Sequence, residues 1–196
     1  MLIQRIRCDT IEEFFVDQID WEFEYLQLSP GGLDFRSTVV NLPGVQLYLN
    51  TFGKRMKHRE LFRGSTLIFG FVADLSGGLT YRGHEFSLDY AQIQQPGCEH
   101  EYVIREGLKS VLIYVDTELV DLMGWTPGRE NVKRVARSAL RALEEECRRV
   151  AAWAAAARAW DMGGSEECLM RDRILVRLEV ALGPWLGKPG TSVSVK

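Results

Sequence analysis

No stretch of the 196 residues reaches about 18 uninterrupted apolar positions, the length a membrane-spanning helix needs. Nothing here reads as a membrane span. Cysteine is scarce: Cys8, Cys98, Cys147 and Cys168 are far apart, with no C-x-x-C. That spacing excludes the disulfide framework of a small secreted domain. Met1–Thr10 holds Arg5, Arg7 and Asp9 and no long apolar run, so no signal peptide is expected. The expectation is a cytoplasmic chain with reduced thiols that pack as small apolar residues. Positive charge is short in the first part. Residues 1–125 carry 11 Lys and Arg against 18 Asp and Glu, a net −7, whereas residues 126–196 carry 13 against 9, a net +4. An acidic surface is a poor partner for a phosphate backbone. The mildly basic remainder interleaves its charges along helices, so DNA binding by this chain alone is not expected.

Catalytic signatures are missing as well. There is no G-x-S-x-G, no P-loop and no H-E-x-x-H. The three histidines, His58, His84 and His100, come from separate segments, without the H-x-H and nearby Glu of a barrel metal site. Cys98 and His100 stand two apart and could share a strand face, but nothing beside them supplies an oxyanion hole or an orienting third group. No catalytic residue, metal or cofactor is expected.

What is present is strand patterning. Thr10 and Glu13 have capping-box spacing, which predicts a short helix over residues 10–19. Trp21, Phe23 and Tyr25 then alternate with Glu22, Glu24 and Leu26. Turns at Ser29-Pro30-Gly31-Gly32 and Pro43-Gly44 bracket strands over residues 33–41 and 45–52. Residues 53–59 read as a basic loop or edge. Residues 65–73 are apolar on both faces, as in a strand covered on two sides. Arg82-Gly83 marks a tight hairpin, followed by strands near residues 91–95, 100–105 and 109–116. About eight short strands with frequent turns predict an antiparallel barrel or sandwich.

The period changes near Thr117. A short helix over residues 118–124 is followed by a long one over residues 131–160, with Val132, Val135, Ala136, Ala139, Leu140, Leu143, Cys147, Val150, Ala151 and Ala154 on one stripe. Glu144 with Arg148 and Glu145 with Arg149 are i,i+4 pairs on its wet side. Asp161-Met162-Gly163-Gly164 ends it, and Ser165 can cap a second helix carrying Ile174, Leu175, Leu178, Leu182 and Trp185. Together they form an αα-hairpin. The class is therefore α+β.

The aromatic content exceeds what an eight-stranded barrel readily fills. Trp21, Phe23, Tyr25, Tyr48, Phe69, Phe71, Tyr102 and Tyr114 are read as core or as the walls of an apolar pocket, with Arg36, Gln46, Gln94 and His100 as polar anchors. The candidate ligand-binding residues are Trp21, Arg36, Tyr48, Phe69, Phe71, His100, Tyr102 and Tyr114. The candidate dimer residues are Ala136, Ala139, Leu140, Leu143, Cys147 and Val150.

Three stretches carry a resemblance: Leu26-Gln27-Leu28-Ser29-Pro30-Gly31 with Leu33-Asp34-Phe35; Leu67-Ile68-Phe69-Gly70-Phe71 with Tyr81-Arg82-Gly83-His84-Glu85-Phe86; and Ile93 through Pro96-Gly97 to His100-Glu101-Tyr102. The chain resembles the cupin-like sensor and dimerisation domains of AraC-type transcription regulators. The resemblance implies a cupin-like barrel over residues 1–117, a helical linker and dimerisation region over 118–187, and over 188–196 a linker toward a helix-turn-helix domain that this chain lacks. It implies a small-molecule effector, a homodimer, and DNA contact only through that missing domain. Two other readings stay open: an oligomerisation or protein-interaction module with a filled barrel, and a cupin-like enzyme.

Overall fold

The computed structural model describes residues 2–14, 21–74, 78–128, 131–157 and 164–187. The chain runs β1 (Leu2–Cys8), α1 (Ile11–Phe14), β2 (Trp21–Gln27), β3 (Phe35–Leu42), β4 (Val45–Phe52), β5 (Met56–Phe62), β6 (Thr66–Asp74), β7 (Leu79–Tyr81), β8 (His84–Phe86), β9 (Tyr90–Gln94), β10 (Glu99–Ile104), β11 (Lys109–Asp116), α2 (Thr117–Leu122), β12 (Val132–Arg134), α3 (Arg137–Ala157) and α4 (Gly164–Leu182).

The class is α+β and the pairing antiparallel, but the strands do not close into one eight-stranded barrel. Twelve described strands form two sheets, a seven-stranded sheet ordered β1-β3-β4-β11-β6-β9-β12 and a five-stranded sheet ordered β2-β5-β10-β7-β8. The seven-stranded sheet is covered twice. Val45, Leu47, Phe69, Ile93, Val111 and Ile113 face the helices and join their core. Phe35, Phe52, Val72 and Leu108 face the other way, toward Met56, Tyr81, Phe86, Tyr102 and Ile104 of the second sheet. The layers are thus helices, large sheet, interior and small sheet. Double coverage is why residues 65–73 looked apolar throughout.

Local chemistry sets several junctions. Glu13 N–H donates to Thr10 Oγ1 (3.4 Å), and Glu13 Oε2 accepts from the N–H groups of Thr10 (3.3 Å) and Asp9 (2.7 Å). This is the reciprocal capping box. The helix runs to Phe14, and the predicted continuation through residue 19 lies outside the described residues. At the β7–β8 turn both Arg82 (φ 47°) and Gly83 (φ 83°) are left-handed. That geometry matches the right-handed twist of the flanking strands.

Residues 2–8, to which the sequence reading assigns no element, form an edge strand paired to β3, with Cys8 opposite Phe35. Three sequence expectations are corrected. Residues 56–62 are an inner strand between β2 and β10, rather than the basic loop or edge expected over residues 53–59. The long helix starts at Arg137, not at residue 131, because Val132–Arg134 pairs with β9. Glu144 pairs with Arg148 as expected (2.8 Å), but Glu145 pairs with Arg141 (3.3 Å), leaving Arg149 to Glu146.

The stripe on α3 is occupied within the chain. Leu140, Leu143, Cys147 and Val150 are buried in the helix–sheet core, Ala139 is half-buried, and Ala136 is exposed just ahead of the helix. Ala151, Ala154 and Ala157 are buried too, in keeping with a smooth face that lets α4 approach. The stripe therefore packs on the large sheet and on Ile174, Leu175 and Leu178 of α4.

A buried carboxylate ties the two helices together. Glu146 accepts from Arg173 Nε of α4 (2.6 Å) and from Arg149 NH2 (2.5 Å). Burial pushes its carboxyl up, but the hydrogen bonds from Arg173 and Arg149 outweigh this and hold it below the usual range. Both arginines keep about half their side chains in water, at 54% and 45%. Losing Glu146 therefore strands no buried charge. Glu146→Ala is expected to cost about 2–3 kcal/mol, the scale of two charge-assisted hydrogen bonds, read from urea unfolding.

Candidate functional site

Four residues of β5 open the interior. Met56, His58, Glu60 and Phe62 point between the sheets, while Lys57, Arg59 and Leu61 point out. The outward cations meet acidic partners on neighbouring strands: Lys57 with Glu101 (3.0 Å), and Arg59 with Glu24 (3.9 Å) and Glu99. The same alternation brings Gln92 and Gln94 of β9, His100 and Tyr102 of β10, and Tyr48 and Asn50 of β4 into the interior.

These side chains form a linked network. Tyr102 Oη accepts from Gln92 Nε2 and Gln94 Nε2, each at 2.5 Å. Gln94 Nε2 also donates to Glu60 Oε1 (2.8 Å). Gln92 Nε2 lies 3.0 Å from His100 Nδ1, and Tyr81 Oη lies 3.0 Å from the same nitrogen. An amide nitrogen can only donate, so Nδ1 accepts and the His100 proton sits on Nε2. His58 stands edge-on to two rings, Tyr25 at 4.9 Å and Tyr102 at 4.7 Å between centroids.

Burial sets the protonation of the cluster. It pushes the Glu60 carboxyl up to about 8, with hydrogen bonds from Gln94 and Tyr102 opposing. It pulls His58 down to about 3. His100 falls to about 4, through burial and then the nearby Arg82 charge. Tyr25, Tyr102 and Tyr114 are raised well above the usual tyrosine range by burial. Near neutral pH the cluster therefore holds a protonated Glu60, two neutral imidazoles and neutral phenols.

The network is incomplete on its own. Among the described residues, six buried side-chain atoms lack a partner, and five belong to the interior: Ser37 Oγ, Asn50 Oδ1, His58 Nδ1, Gln94 Oε1 and His100 Nε2. An unpaired buried polar group costs about 1–3 kcal/mol, and ordered water or a bound molecule is what ordinarily satisfies such groups. Two cavities adjoin them, of about 110 and 80 Å³, both lined by Asn50, Phe52, His58, Glu60, Gln94 and Leu112. The first runs out past Tyr25, Tyr48 and Tyr114 to Cys8 and Phe23. Among the described residues no group of three or more His, Cys, Asp or Glu is placed to hold a metal ion.

The residues nominated from sequence are dispersed. Tyr48 and Tyr114 line the first cavity, Tyr102 and Phe71 the second. His100 lies in the network behind them. Phe69 is on the opposite face of the large sheet, edge-on to Trp125 at 5.8 Å. Arg36 is on the surface, 2.9 Å from Asp34. Gln46 is exposed beside Tyr48. Trp21 lies in β2, and its side chain is outside the described residues. Cys98 sits half-buried before β10. Sequence reasoning missed Ser37, Asn50, His58, Glu60 and Gln92. The period-2 run Met56-x-His58-x-Glu60-x-Phe62 was the available signal.

No protein-family model matches the sequence, and a search of curated proteins finds no match. Solved structures do match. Against the AraC-like transcriptional activator CuxR the TM-score is 0.65, covering 97% of this chain and 73% of that chain at 9% identity. This chain shares its fold with that activator. The resemblance read from the sequence thus holds for the backbone path, helices included, although few residues are shared. AerE from Microcystis aeruginosa (TM-score 0.40, 12% identity, 58% of this chain and 52% of that one) and ectoine synthase from P. lautus (0.28, 14%, 62% and 84%) overlap more loosely and decide nothing about the AraC-like fold. No described helix is long and apolar enough to cross a membrane.

Proposed function

We propose that this chain is the effector-sensing and dimerisation part of an AraC-type transcription regulator. A small molecule binds between the two sheets. The observation that carries this reading is the group of unpaired buried polar atoms around two aromatic-walled cavities, in an AraC-like fold. An interaction module with a filled interior has no need of such a cluster.

Dimerisation fits α4 better than the α3 stripe. Leu169, Val176 and Val180 are exposed at 55%, 55% and 64%, spaced seven and four residues apart on one face. A second copy laid antiparallel suits this face. Setting Leu169 opposite Val180 brings Asp172 opposite Arg177, and Val176 opposite the stem of Arg173, whose guanidinium stays with Glu146. Effector binding acts on the regulator only if the effector binds its two states with different affinity.

A thermal-shift screen against a broad metabolite panel tests the sensing reading. A true effector at 100 times its Kd stabilises by about 2.7 kcal/mol, which raises Tm by roughly 5–10 °C in a chain of this size. A panel in which nothing moves Tm overturns it.

A further inference from the structure

The interior holds a carboxyl group and no counter-charge. Among the described residues, no lysine or arginine lines either cavity. The acidic residues lining them are Glu60, common to both, and Glu13 at the outer end of the first, where its carboxylate caps α1.

Of the unpaired atoms, Ser37 Oγ and His58 Nδ1 can donate or accept, and His100 Nε2 carries a proton but lines neither cavity; the two amides are more restrictive. Asn50 Oδ1 and Gln94 Oε1 are amide oxygens, which can only accept. Glu60 takes hydrogen bonds from Gln94 and Tyr102, and its Oε2 lies 3.9 Å from His58 Nε2. A guest that satisfies these three acceptors must donate. The first cavity is walled by Tyr25, Tyr48, Phe52 and Tyr114, whose π-faces attract cations. Tyr48 and Tyr114 lie 4.8 Å apart between ring centroids and form one continuous wall.

Resting on the sensing reading above, we propose that the interior binds a compact organic amine as its ammonium ion, with Glu60 as counter-ion and Asn50 Oδ1 and Gln94 Oε1 accepting its N–H groups. A primary ammonium has three donors for these three acceptors, and its carbon portion lies against the tyrosines. Volumes of about 110 and 80 Å³ limit it to a small alkyl or arylalkyl amine. An anion meets two carboxyl groups and no cation. A neutral alcohol offers one donor and no charge for Glu60.

The chemistry carries a pH signature. Glu60 is faced by His58 on its own strand, His100 and Tyr102 on β10, Gln94 on β9, Tyr25 on β2 and Tyr114 on β11. Arg82, which acts on His100, is outside on the β7–β8 turn. The imidazoles and phenols stay neutral between pH 6 and 9. Glu60 alone titrates there, near 8. Ammonium binding takes up the ionised form and releases the proton to water. Affinity therefore rises about tenfold per pH unit below pH 7, about fivefold from pH 7 to 8, and levels off above that.

The test is calorimetric titration of the 196-residue chain with three probe sets: 2-phenylethylamine and butylamine; their neutral counterparts 2-phenylethanol and butan-1-ol; and phenylacetate. The expected result is amine binding at least tenfold tighter than alcohol binding at pH 8, weakening about fivefold at pH 7. Glu60→Gln is expected to lose about 30-fold for the amine and little for the alcohol. Asn50→Asp, a second variant that does not rely on Glu60→Gln folding, is expected to tighten amine binding. Alcohol or phenylacetate binding as tight as the amine, or amine affinity flat with pH, overturns the ammonium assignment and leaves the sensing reading standing. Failure of these probes alongside a metabolite panel that does shift Tm also overturns the assignment alone. Silence from probes and panel together overturns both.

Discussion

Leu143→Ala is expected to lower the stability of the monomer by about 3–4 kcal/mol, with a fall in Tm of roughly 10 °C. Leu143 is fully buried, at 0% exposure, where α3 meets the large sheet and α4. Its neighbours are poorly placed to close the gap. Cys147, Ala151 and Ala154 on its own face are short, and Glu146 holds α3 to Arg173 of α4. The cavity term therefore adds to the lost transfer energy. Val180→Asp provides the contrast. It changes an exposed residue of α4, so monomer stability is expected to move within about 0.5 kcal/mol. A dimer built on the outer face of α4 is expected to dissociate, because a carboxylate enters its apolar seam. Urea unfolding and light scattering separate the two. If Leu143→Ala keeps its stability and loses the dimer, the α3 stripe is an interface after all.

Stability is expected to peak near pH 6.5 and to fall on both sides, and the alkaline fall is expected to vanish in Glu60→Gln. The carboxyl of Glu60 is raised on folding from 4.5 to about 8. The folded chain therefore holds a proton that the unfolded chain has released. The stability tied to that proton is complete below pH 4.5 and is lost as pH rises toward 8. His58 and His100 act with the opposite sign. Folding lowers them from 6.5 to about 3 and about 4, so their contribution is complete above 6.5 and is lost as pH falls. Between 4.5 and 6.5 two imidazoles outweigh one carboxyl, and stability climbs with pH. Above 6.5 only Glu60 acts, removing about 2 kcal/mol by pH 8. Glutamine keeps the oxygen that accepts from Gln94 and cannot titrate. The difference between wild type and Glu60→Gln also cancels surface groups common to both. A difference curve that does not change with pH contradicts the buried, protonated Glu60.

Much of the fold was legible because turn chemistry and period-2 alternation are local. The segments 21–27, 45–52 and 109–116 declare themselves by alternation, and Arg82-Gly83 by its turn. Residues 54–59 show where that logic stops. Lys54, Arg55, Lys57 and Arg59 resemble a solvated loop, since a cation on a loop and a cation on the wet face of a strand look alike in sequence. The difference lies in Glu24, Glu99 and Glu101, which come from β2 and β10 and pair with the β5 cations only after the sheet assembles. With β5 unseen, His58 and Glu60 were unseen too, and with them the chemical centre of the interior. Val132 and Val135 misled in the opposite direction. Their spacing continues the helical stripe, but pairing with β9 draws residues 132–134 into the sheet.

The sequence by itself determined the α+β class, most strands, the two long helices, the acidic character of the first 125 residues and the AraC-like resemblance. Each of these rests on neighbours within a few positions along the chain. Tertiary structure alone decided that twelve strands form two sheets, that the α3 stripe is covered by its own sheet and α4, and that Phe69 and Tyr102 face different layers. It also decided the protonation of Glu60, because a carboxyl group is raised by what surrounds it. Those surroundings, Tyr25, Gln94, Tyr102 and Tyr114, come from four other strands.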